Sequence, residues 1–392
     1  MSASENEPDG PPDGSLCVPT SPHARAKRRI ASLMSKVEIL KQDKATKHRK
    51  TTYYISQGRA ICRMVVLYAS IDDLITENDR RCEGCDSSNL EQDRLQCGYI
   101  ELTKALPWVH EKLANLDHDD LEDMRRKLKR GVDSARGDDT GTLKELVASW
   151  VNDEFHPTPL IKTSDKHHRG FMNNACGKLL CPAEWSWEDS AVKAGVRDHT
   201  TAFIVSENSW PLFMYQNYEA NSGDLERNLM KSKLLVMGFK AIFTSPSSAD
   251  EADGDGDGAD IIENNRRARR QLDQVKVKTC VASIIGMRKV TPRTIAYTAC
   301  QIRFALSSIT SWRTVDGDFD YEIFWNNIVD FFENAPGPAA RARLNGLLEW
   351  WTRKVFGRNH QQDLTPDVIS KMSVNVLAAQ RQQMEDSAFD SD

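Results

Sequence analysis

Four cysteine and histidine side chains between residues 82 and 110 have the donor types of a structural zinc site. Such sites hold zinc in a tetrahedron of four sulfur or nitrogen ligands. The candidates follow the spacing C-x2-C-x11-C-x12-H and are Cys82, Cys85, Cys97 and His110. A second group with the same donor types is His167, His168, Cys176 and Cys181. Because neither group contains a second close cysteine pair, a turn with unligated thiols is the alternative hypothesis, and no cofactor is required.

The stretch "DGDGDGAD" begins like the calcium loop of an EF-hand. That loop requires oxygen ligands at positions 1, 3 and 5, Gly at position 6 and Glu at position 12. The first four requirements are met by Asp253, Asp255, Asp257 and Gly258. Position 12 is Asn264, and Glu263 falls one residue short. Without the bidentate carboxylate the shell is incomplete, so we predict a flexible acidic insertion at about 246–264.

Two acidic groups have the residue types of a metal-dependent nuclease, namely Asp316, Asp318 and Asp320, and Glu184, Glu188 and Asp189. Such a site needs carboxylates from several elements around shared ions. Helix caps and acidic first turns explain the same residues. The sequence also lacks a nucleophile elbow, a P-loop and a dinucleotide-binding motif. We therefore expect a non-enzymatic protein. The alternative is a divergent enzyme with a pocket in residues 152–210, where Cys181, His167 and Trp185 would converge.

A basic segment lies near the N-terminus. Between His23 and Lys50 the local charge is +8, whereas the whole chain carries −5. Two clusters, "AKRR" and "KHRK", flank a short apolar stripe of Ile30, Leu33, Val37 and Leu40. The predicted contacts to nucleic acid or to the import machinery are Arg25, Lys27, Arg28, Arg29, Lys47, Arg49 and Lys50. A solvated helix face beside a disordered tail explains the same pattern.

The elements that position these residues are helices. Apolar residues recur at spacings of three and four from residue 60 to residue 357, which predicts an all-α protein of nine to eleven helices. We expect one core helix over 60–75, a helix break at Pro107, a helix capped by Asp117 and another that begins at Thr142. The run 201–205 alone resembles a strand. The segment from about residue 152 to residue 209 has no clear periodicity, and we call it the irregular middle. Five aromatic residues in it or just after it suit the core better than base stacking: Trp185, Trp187, Trp210, Phe213 and Tyr215.

Length and composition set the organisation. We predict a disordered tail (1–22), a basic helical arm (23–57), one irregular multi-helix domain (58–357) and a polar tail (358–392), because 392 residues can bury a sizeable core. The longest apolar runs are too short to span a membrane. The acidic, Pro-rich N-terminus is unlike a signal peptide. These features favour an intracellular protein whose nine cysteines stay reduced.

Five stretches in order carry a resemblance: "LLCPAEWSW", "WPLFMYQNYEA", "LLVMGFKAIFTSPSSA", "IAYTACQIRFALSSITSW" and "WWTRKVFG". Over roughly residues 50–357 the chain resembles a family of uncharacterised proteins, present in many copies in mushroom-forming (basidiomycete) fungi, that carries a domain of unknown function. The resemblance implies no activity or catalytic residue. The many copies imply a link to mobile elements or their silencing.

The hypothesis that follows is a non-enzymatic, mainly nuclear helical protein. Its basic arm would contact nucleic acid or a partner protein, and no membrane is involved. A zinc-stabilised scaffold is a further alternative. The oligomeric state is not indicated by the sequence.

Overall fold

The structure is a computed structural model that describes residues 22–84, 88–250, 254–271, 279–357 and 365–389. Within these ranges the regular elements are sixteen α-helices, four 3-10 turns and one two-stranded sheet. The prediction of an all-α protein is therefore confirmed. The chain divides into two compact units, residues 1–54 and 55–392.

Helix α1, Pro22–Met64, is 43 residues long and contains the whole basic segment. The apolar stripe that predicts it stops near Lys41, but the helix continues. Residues 42–57 contain no glycine or proline, and several are strong helix formers. Propensity therefore carries the helix past the point where the apolar pattern ends.

The chain leaves the helical conformation between Met64 and Ile71, so the prediction of one helix over 60–75 is wrong. Ser70 caps α2, Ile71–Cys82. The Ser70 hydroxyl accepts a hydrogen bond from the Asp73 amide (3.1 Å), and the Asp73 carboxylate accepts one from the Ser70 amide (3.1 Å). This capping box starts a new helix within an apolar run that periodicity alone assigns to a continuous one.

The predicted starts and ends of the next three helices are confirmed in part. Helices α3, Leu90–Ala105, and α4, Trp108–Asn115, are separated at Pro107 as predicted. The Asp117 carboxylate caps α5, His118–Phe155, by accepting from the Asp120 amide (2.8 Å). A helix start at Thr142 is wrong, because its hydroxyl donates to the Asp138 carbonyl inside α5 (3.0 Å) instead of capping.

The irregular middle is built of short helices and 3-10 turns. Its helices are α6, Asn174–Leu180, and α7, Ser190–Arg197. Its turns are Gly170–Met172, Thr201–Phe203, Leu212–Met214 and Gln216–Tyr218. Residues 201–203 are thus a 3-10 turn rather than the strand that their sequence resembles.

The remaining elements complete the second unit. They are α8 (Lys233–Phe243), α9 (Pro246–Ala249), α10 (Gly258–Gln271), α11 (Val281–Ile284), α12 (Pro292–Leu306), β1 (Val315–Asp316), β2 (Phe319–Asp320), α13 (Tyr321–Glu333), α14 (Pro338–Phe356), α15 (Pro366–Ser370) and α16 (Ser373–Phe389). Strands β1 and β2 pair antiparallel, with Val315 opposite Asp320. Every described side chain of α15 and α16 is exposed.

Helix α12 is the centre of the core. Every side chain from Arg293 to Leu306 is buried, and the helix packs against α5, α8 and α13. A buried ion pair lies beside it: the Arg63 guanidinium donates to both oxygens of Asp139, at 2.8 and 2.7 Å. The Tyr297 hydroxyl donates to the same carboxylate (2.7 Å). The polar groups of this network therefore satisfy one another in the apolar interior.

The last turns of α1 cross α5 at very close range. A Cβ atom at Gly131 would lie 2.2 Å from the Ile55 carbonyl oxygen, and one at Gly58 would lie 2.1 Å from the Leu128 carbonyl oxygen. Only residues without a side chain fit this contact between two backbones.

The described part of the acidic segment lies against the end of α14. The Gly256 amide donates to the Arg353 carbonyl (3.0 Å), and the Lys354 ammonium donates to the Gly254 carbonyl (2.9 Å). Asp255 and the Arg353 side chain form an ion pair at 3.3 Å. The basic residues that hold this segment therefore come from α14. Lys354, for example, lies 100 positions after the Gly254 that it contacts.

None of the helices in the described ranges combines the length and the apolar character needed to cross a bilayer.

Candidate functional site

The basic arm lies on a continuous helical backbone. At 3.6 residues per turn, positions 25, 29, 36 and 47 fall within about 40° of one another around the axis of α1 and span about 33 Å along it. Arg29 is exposed and Lys50 is half-buried. The side chains of the other five predicted contacts lie outside what the structure describes: Arg25, Lys27, Arg28, Lys47 and Arg49. The helix thus places four cationic positions in one line.

The apolar stripe of the arm is open to solvent. Ile30, Leu33 and Val37 of the stripe and the neighbouring Met34 are between 47 and 68 % exposed. The side chain of Leu40 lies outside what the structure describes. No aromatic residue occurs between Pro22 and Lys50. The first unit therefore presents cations beside a narrow aliphatic strip, without the tryptophan or phenylalanine side chains that anchor helices in a membrane surface.

The first zinc candidate is only partly described, because Cys85 lies outside the described residues. Cys82 is exposed at the last position of α2, and Cys97 is exposed on α3. The His110 ring is hydrogen-bonded to the Tyr99 hydroxyl (3.2 Å). Across the described ranges, no three His, Cys, Asp or Glu side chains are grouped so as to hold a metal ion.

The second cysteine–histidine group is split between surface and core. His167 and His168 are exposed, whereas Cys176 and Cys181 are buried. Burial raises the pKa of the Cys176 thiol to about 11 and that of the Cys181 thiol to about 12. These two sulfurs are therefore protonated at neutral pH and are poor metal ligands and nucleophiles.

The acidic groups have local structural roles. The Asp320 carboxylate caps α13, and that of Asp189 caps α7. Asp316 lies 3.6 Å from the Arg303 guanidinium. Glu184 accepts a hydrogen bond from the Ser209 hydroxyl, and Glu188 lies 3.9 Å from the Lys193 ammonium. For the calcium candidate, Asp253 lies outside the described residues.

Three of the five aromatic residues are buried, as the core interpretation predicts, and Trp185 and Trp210 are half-buried. Phe213 and Tyr215 are fully buried, and Trp187 is 3 % exposed. Trp185 packs against the cluster that contains Trp187. The Trp210 ring contacts two phenylalanines of α13 at 6.4 and 6.1 Å between ring centroids. Stacking on bases would require rings that are open to solvent.

An open cleft of about 600 Å³ does lie in the irregular middle. Its apolar wall is formed by Phe155, Pro159 and Trp187. The charged side chains in its lining are Lys178, Glu188 and Lys193. Its volume is typical of small-molecule sites. Cys181, His167 and Trp185, the side chains that the enzyme hypothesis brings together, do not line it.

This cleft has one unsatisfied donor in its wall. The Trp187 indole N–H is buried and has no hydrogen-bond partner among the described residues. The ring lies against Gly177, where a Cβ atom would come within 2.2 Å of it. The sequence places Trp187 in the core and a possible pocket in residues 152–210, but it does not predict which side chains line the cleft, because α6 and α7 lack the long periodic pattern that fixes their packing.

Comparison with known families identifies a match over more than half of the chain. The model of the Family of unknown function (DUF6698) matches residues 130–356, more than half of the chain. No curated protein and no solved structure matches.

Proposed function

The chain belongs to this family of unknown function, and we propose that it binds nucleic acid through the basic arm of α1. The observation that carries the proposal is the line of cations at positions 25, 29, 36 and 47 on one continuous helix. A line about 33 Å long suits a phosphate backbone, on which duplex DNA places one charge for about every 1.7 Å of axis.

Charge distribution supports the same assignment. The segment from His23 to Lys50 carries +8, and the rest of the chain carries −13. Phosphates would be attracted to the arm and repelled by much of the remaining surface. Binding through the arm would be largely independent of sequence, since contacts to phosphates do not identify bases.

A membrane surface is the competing partner for a basic amphipathic helix. The absence of aromatic residues between Pro22 and Lys50 favours nucleic acid. The two basic clusters also suit nuclear import, and we propose that the protein acts in the nucleus. A link to mobile elements would appear as enrichment of transposon sequences among the DNA that co-purifies with the protein after cross-linking.

The test is the salt dependence of binding to a labelled DNA duplex, followed by fluorescence anisotropy. Each phosphate contact contributes about 0.9 to the slope of log K against log salt concentration. The triple variant Arg25→Gln, Arg29→Gln and Lys47→Gln should flatten the slope by about 3. A matched control removes three exposed cations of α5 and should leave the slope unchanged; its substitutions are Arg126→Gln, Lys129→Gln and Arg130→Gln.

Two results would overturn the proposal. One is an equal slope for the arm variant and the wild-type protein. The other is retention by vesicles that contain phosphatidylserine, together with no binding to the duplex at low salt.

A divergent enzyme is the second candidate, because the 600 Å³ cleft lies in the segment where that hypothesis places a pocket. Incubation of the protein with a metabolite extract, followed by mass spectrometry, tests it. Consumption of a metabolite by the wild-type protein but not by Lys193→Glu would support catalysis at this cleft. The zinc-scaffold alternative is tested by metal analysis of the purified protein.

A further inference from the structure

A second, smaller cleft of about 180 Å³ lies where the end of α12 meets the irregular middle and the β1–β2 turn. Its wall includes Arg169, Arg197 and Arg303. Two of these arginines are almost completely buried: Arg169 is 1 % exposed and Arg303 is 4 % exposed. Arginines are rarely buried unless they are paired with a negative charge, so the partners of these side chains decide what the cleft can bind.

Arg169 has only neutral partners in the described structure. Its Nη1 donates to the Ala305 carbonyl (2.8 Å), and its Nη2 donates to the Thr163 carbonyl (3.1 Å) and the Lys162 carbonyl (3.2 Å). Its Nε donates to the Asp165 carbonyl (3.4 Å). The carbonyl of Ala305 belongs to the last turn of α12, whose dipole offsets about half a charge. The remainder of the positive charge is uncompensated.

Arg197 repeats this pattern at the cleft wall. Its Nε donates to the Phe171 carbonyl (2.9 Å), and its Nη2 donates to the Asn174 side-chain oxygen (2.7 Å). Neither acceptor carries a charge. Arg197 therefore adds a second guanidinium that no described carboxylate neutralises.

Among the described residues Arg303 has one counter-ion, and it is distant. The Asp316 carboxylate lies 3.6 Å from its Nη1, which also donates to the Tyr321 hydroxyl (3.0 Å). The Phe319 ring covers the guanidinium at 3.2 Å from the ring centroid. Its Nε and Nη2 groups donate to no atom of the described residues.

The charges that line the cleft do not balance. The lining contains three guanidiniums and two carboxylates: Asp316 is half-buried, and Asp318 is exposed and therefore screened by water. His199 and Ser308 lie at the exposed rim. A cavity of low dielectric with excess positive charge and free N–H donors attracts an anion.

We propose that this cleft is a binding site for a small oxyanion of the phosphate type, held by Arg303 with Arg169 and Arg197 around it. The volume is below the range of about 300–1,000 Å³ for drug-sized ligands, so the site takes an ion or a single phosphoryl group. Fork-like guanidinium groups match tetrahedral oxyanions. The site is separate from the arm of α1 and does not depend on it.

The test is isothermal titration calorimetry of the full chain with inorganic phosphate, at constant ionic strength set by chloride. We expect saturable binding of one phosphate per chain. Ser308→Asp places a carboxylate at the rim and should weaken binding at least about tenfold, which corresponds to about 1.4 kcal/mol. Ser311→Asp makes the same change at an exposed position that does not line the cleft, and it should keep most of the affinity.

A variant of opposite sign separates a binding role from a structural one. Asp316→Asn removes the only carboxylate that pairs with Arg303 in the described structure, so phosphate should bind several-fold more tightly. A second titration with phenyl phosphate distinguishes the sources of the ligand. If phenyl phosphate binds as tightly as inorganic phosphate, the natural ligand is the phosphoryl group of a larger molecule. If phenyl phosphate does not bind, the natural ligand is the free ion.

Three results would overturn the proposal: no saturable uptake of phosphate, equal affinities of Ser308→Asp and Ser311→Asp, or weaker binding by Asp316→Asn. The arm variant with Arg25, Arg29 and Lys47 replaced by Gln should bind phosphate as the wild-type protein does. Failure of the nucleic-acid proposal and failure of this one are therefore distinguishable.

Discussion

The sharpest stability prediction concerns two adjacent aspartates of α5 that differ in burial. The Asp139 side chain is 10 % exposed and holds both the Arg63 guanidinium and the Tyr297 hydroxyl. Asp138 pairs with Arg59 at a similar distance, 2.8 Å, but its side chain is 64 % exposed. Both are aspartates of the same helix that pair with an arginine of α1, so the comparison sets a buried network against an exposed ion pair.

Removing the buried carboxylate should cost far more than removing the exposed one. Asp139→Ala leaves the Arg63 charge, 3 % exposed, without a partner, which costs about 3–5 kcal/mol. It also leaves the buried Tyr297 hydroxyl without its acceptor. Asp138→Ala removes an exposed pair and should cost less than about 1 kcal/mol.

The assay is urea unfolding followed by tryptophan fluorescence, with the slope of free energy against urea checked for equality among the proteins. Asp139→Asn is an informative third variant, because it keeps an oxygen for Tyr297 and removes only the charge. Alanine variants that agree within about 1 kcal/mol would refute the account of the core network.

Two further predictions use the same assay. Gly131→Ala should lower the free energy of unfolding by about 2 kcal/mol, because the added Cβ would clash with the Ile55 carbonyl. Gly137→Ala on the same helix places a Cβ in open space and should raise the free energy of unfolding by about 0.5–1 kcal/mol. The opposite order of the two stabilities would contradict the close crossing of α1 and α5. Burial lowers the pKa of Lys166 to about 7, below its unfolded value of 10.5. The unfolded chain then binds more protons between these values, so the contribution of Lys166 to stability rises with pH. The free energy of unfolding of the wild type, minus that of Lys166→Met, should therefore increase by about 2 kcal/mol from pH 7 to pH 9. A value that does not change with pH would be inconsistent with a depressed pKa of Lys166.

Helix-breaking and helix-capping residues predicted the ends of helices correctly where they act only on their neighbours in sequence. Pro107 separates α3 from α4 and Asp117 caps α5, because a missing N–H and a capping carboxylate act on the next few residues. Thr142 has the same local signal but donates within α5, where tertiary packing favours a continuous helix. At Ser70 the reverse occurs, since a strong cap interrupts an apolar run.

The anion cleft could not be predicted from the sequence. The partners of Arg169 include a carbonyl 136 positions away, and the counter-ion of Arg303 lies in a two-stranded turn. Carbonyl acceptors are present in every residue and give no signal in a pattern of side chains. The basic arm, by contrast, depends on charges that are contiguous in sequence, which is why it could be proposed before the fold was known.

The crossing of α1 and α5 limits how the family region can be exchanged. Gly131 and Asp139 belong to the matched region, 130–356, whereas the glycine and the arginine that meet them, Gly58 and Arg63, precede it. Arg293, also within that region, donates to the Val65 carbonyl (2.6 Å). The start of the family match therefore falls within the core that these contacts build. A chimera that took residues 130–356 from a relative would also need that relative's last ten or so residues of α1. Otherwise the close glycine contact and the buried ion pair would each combine side chains from two different proteins.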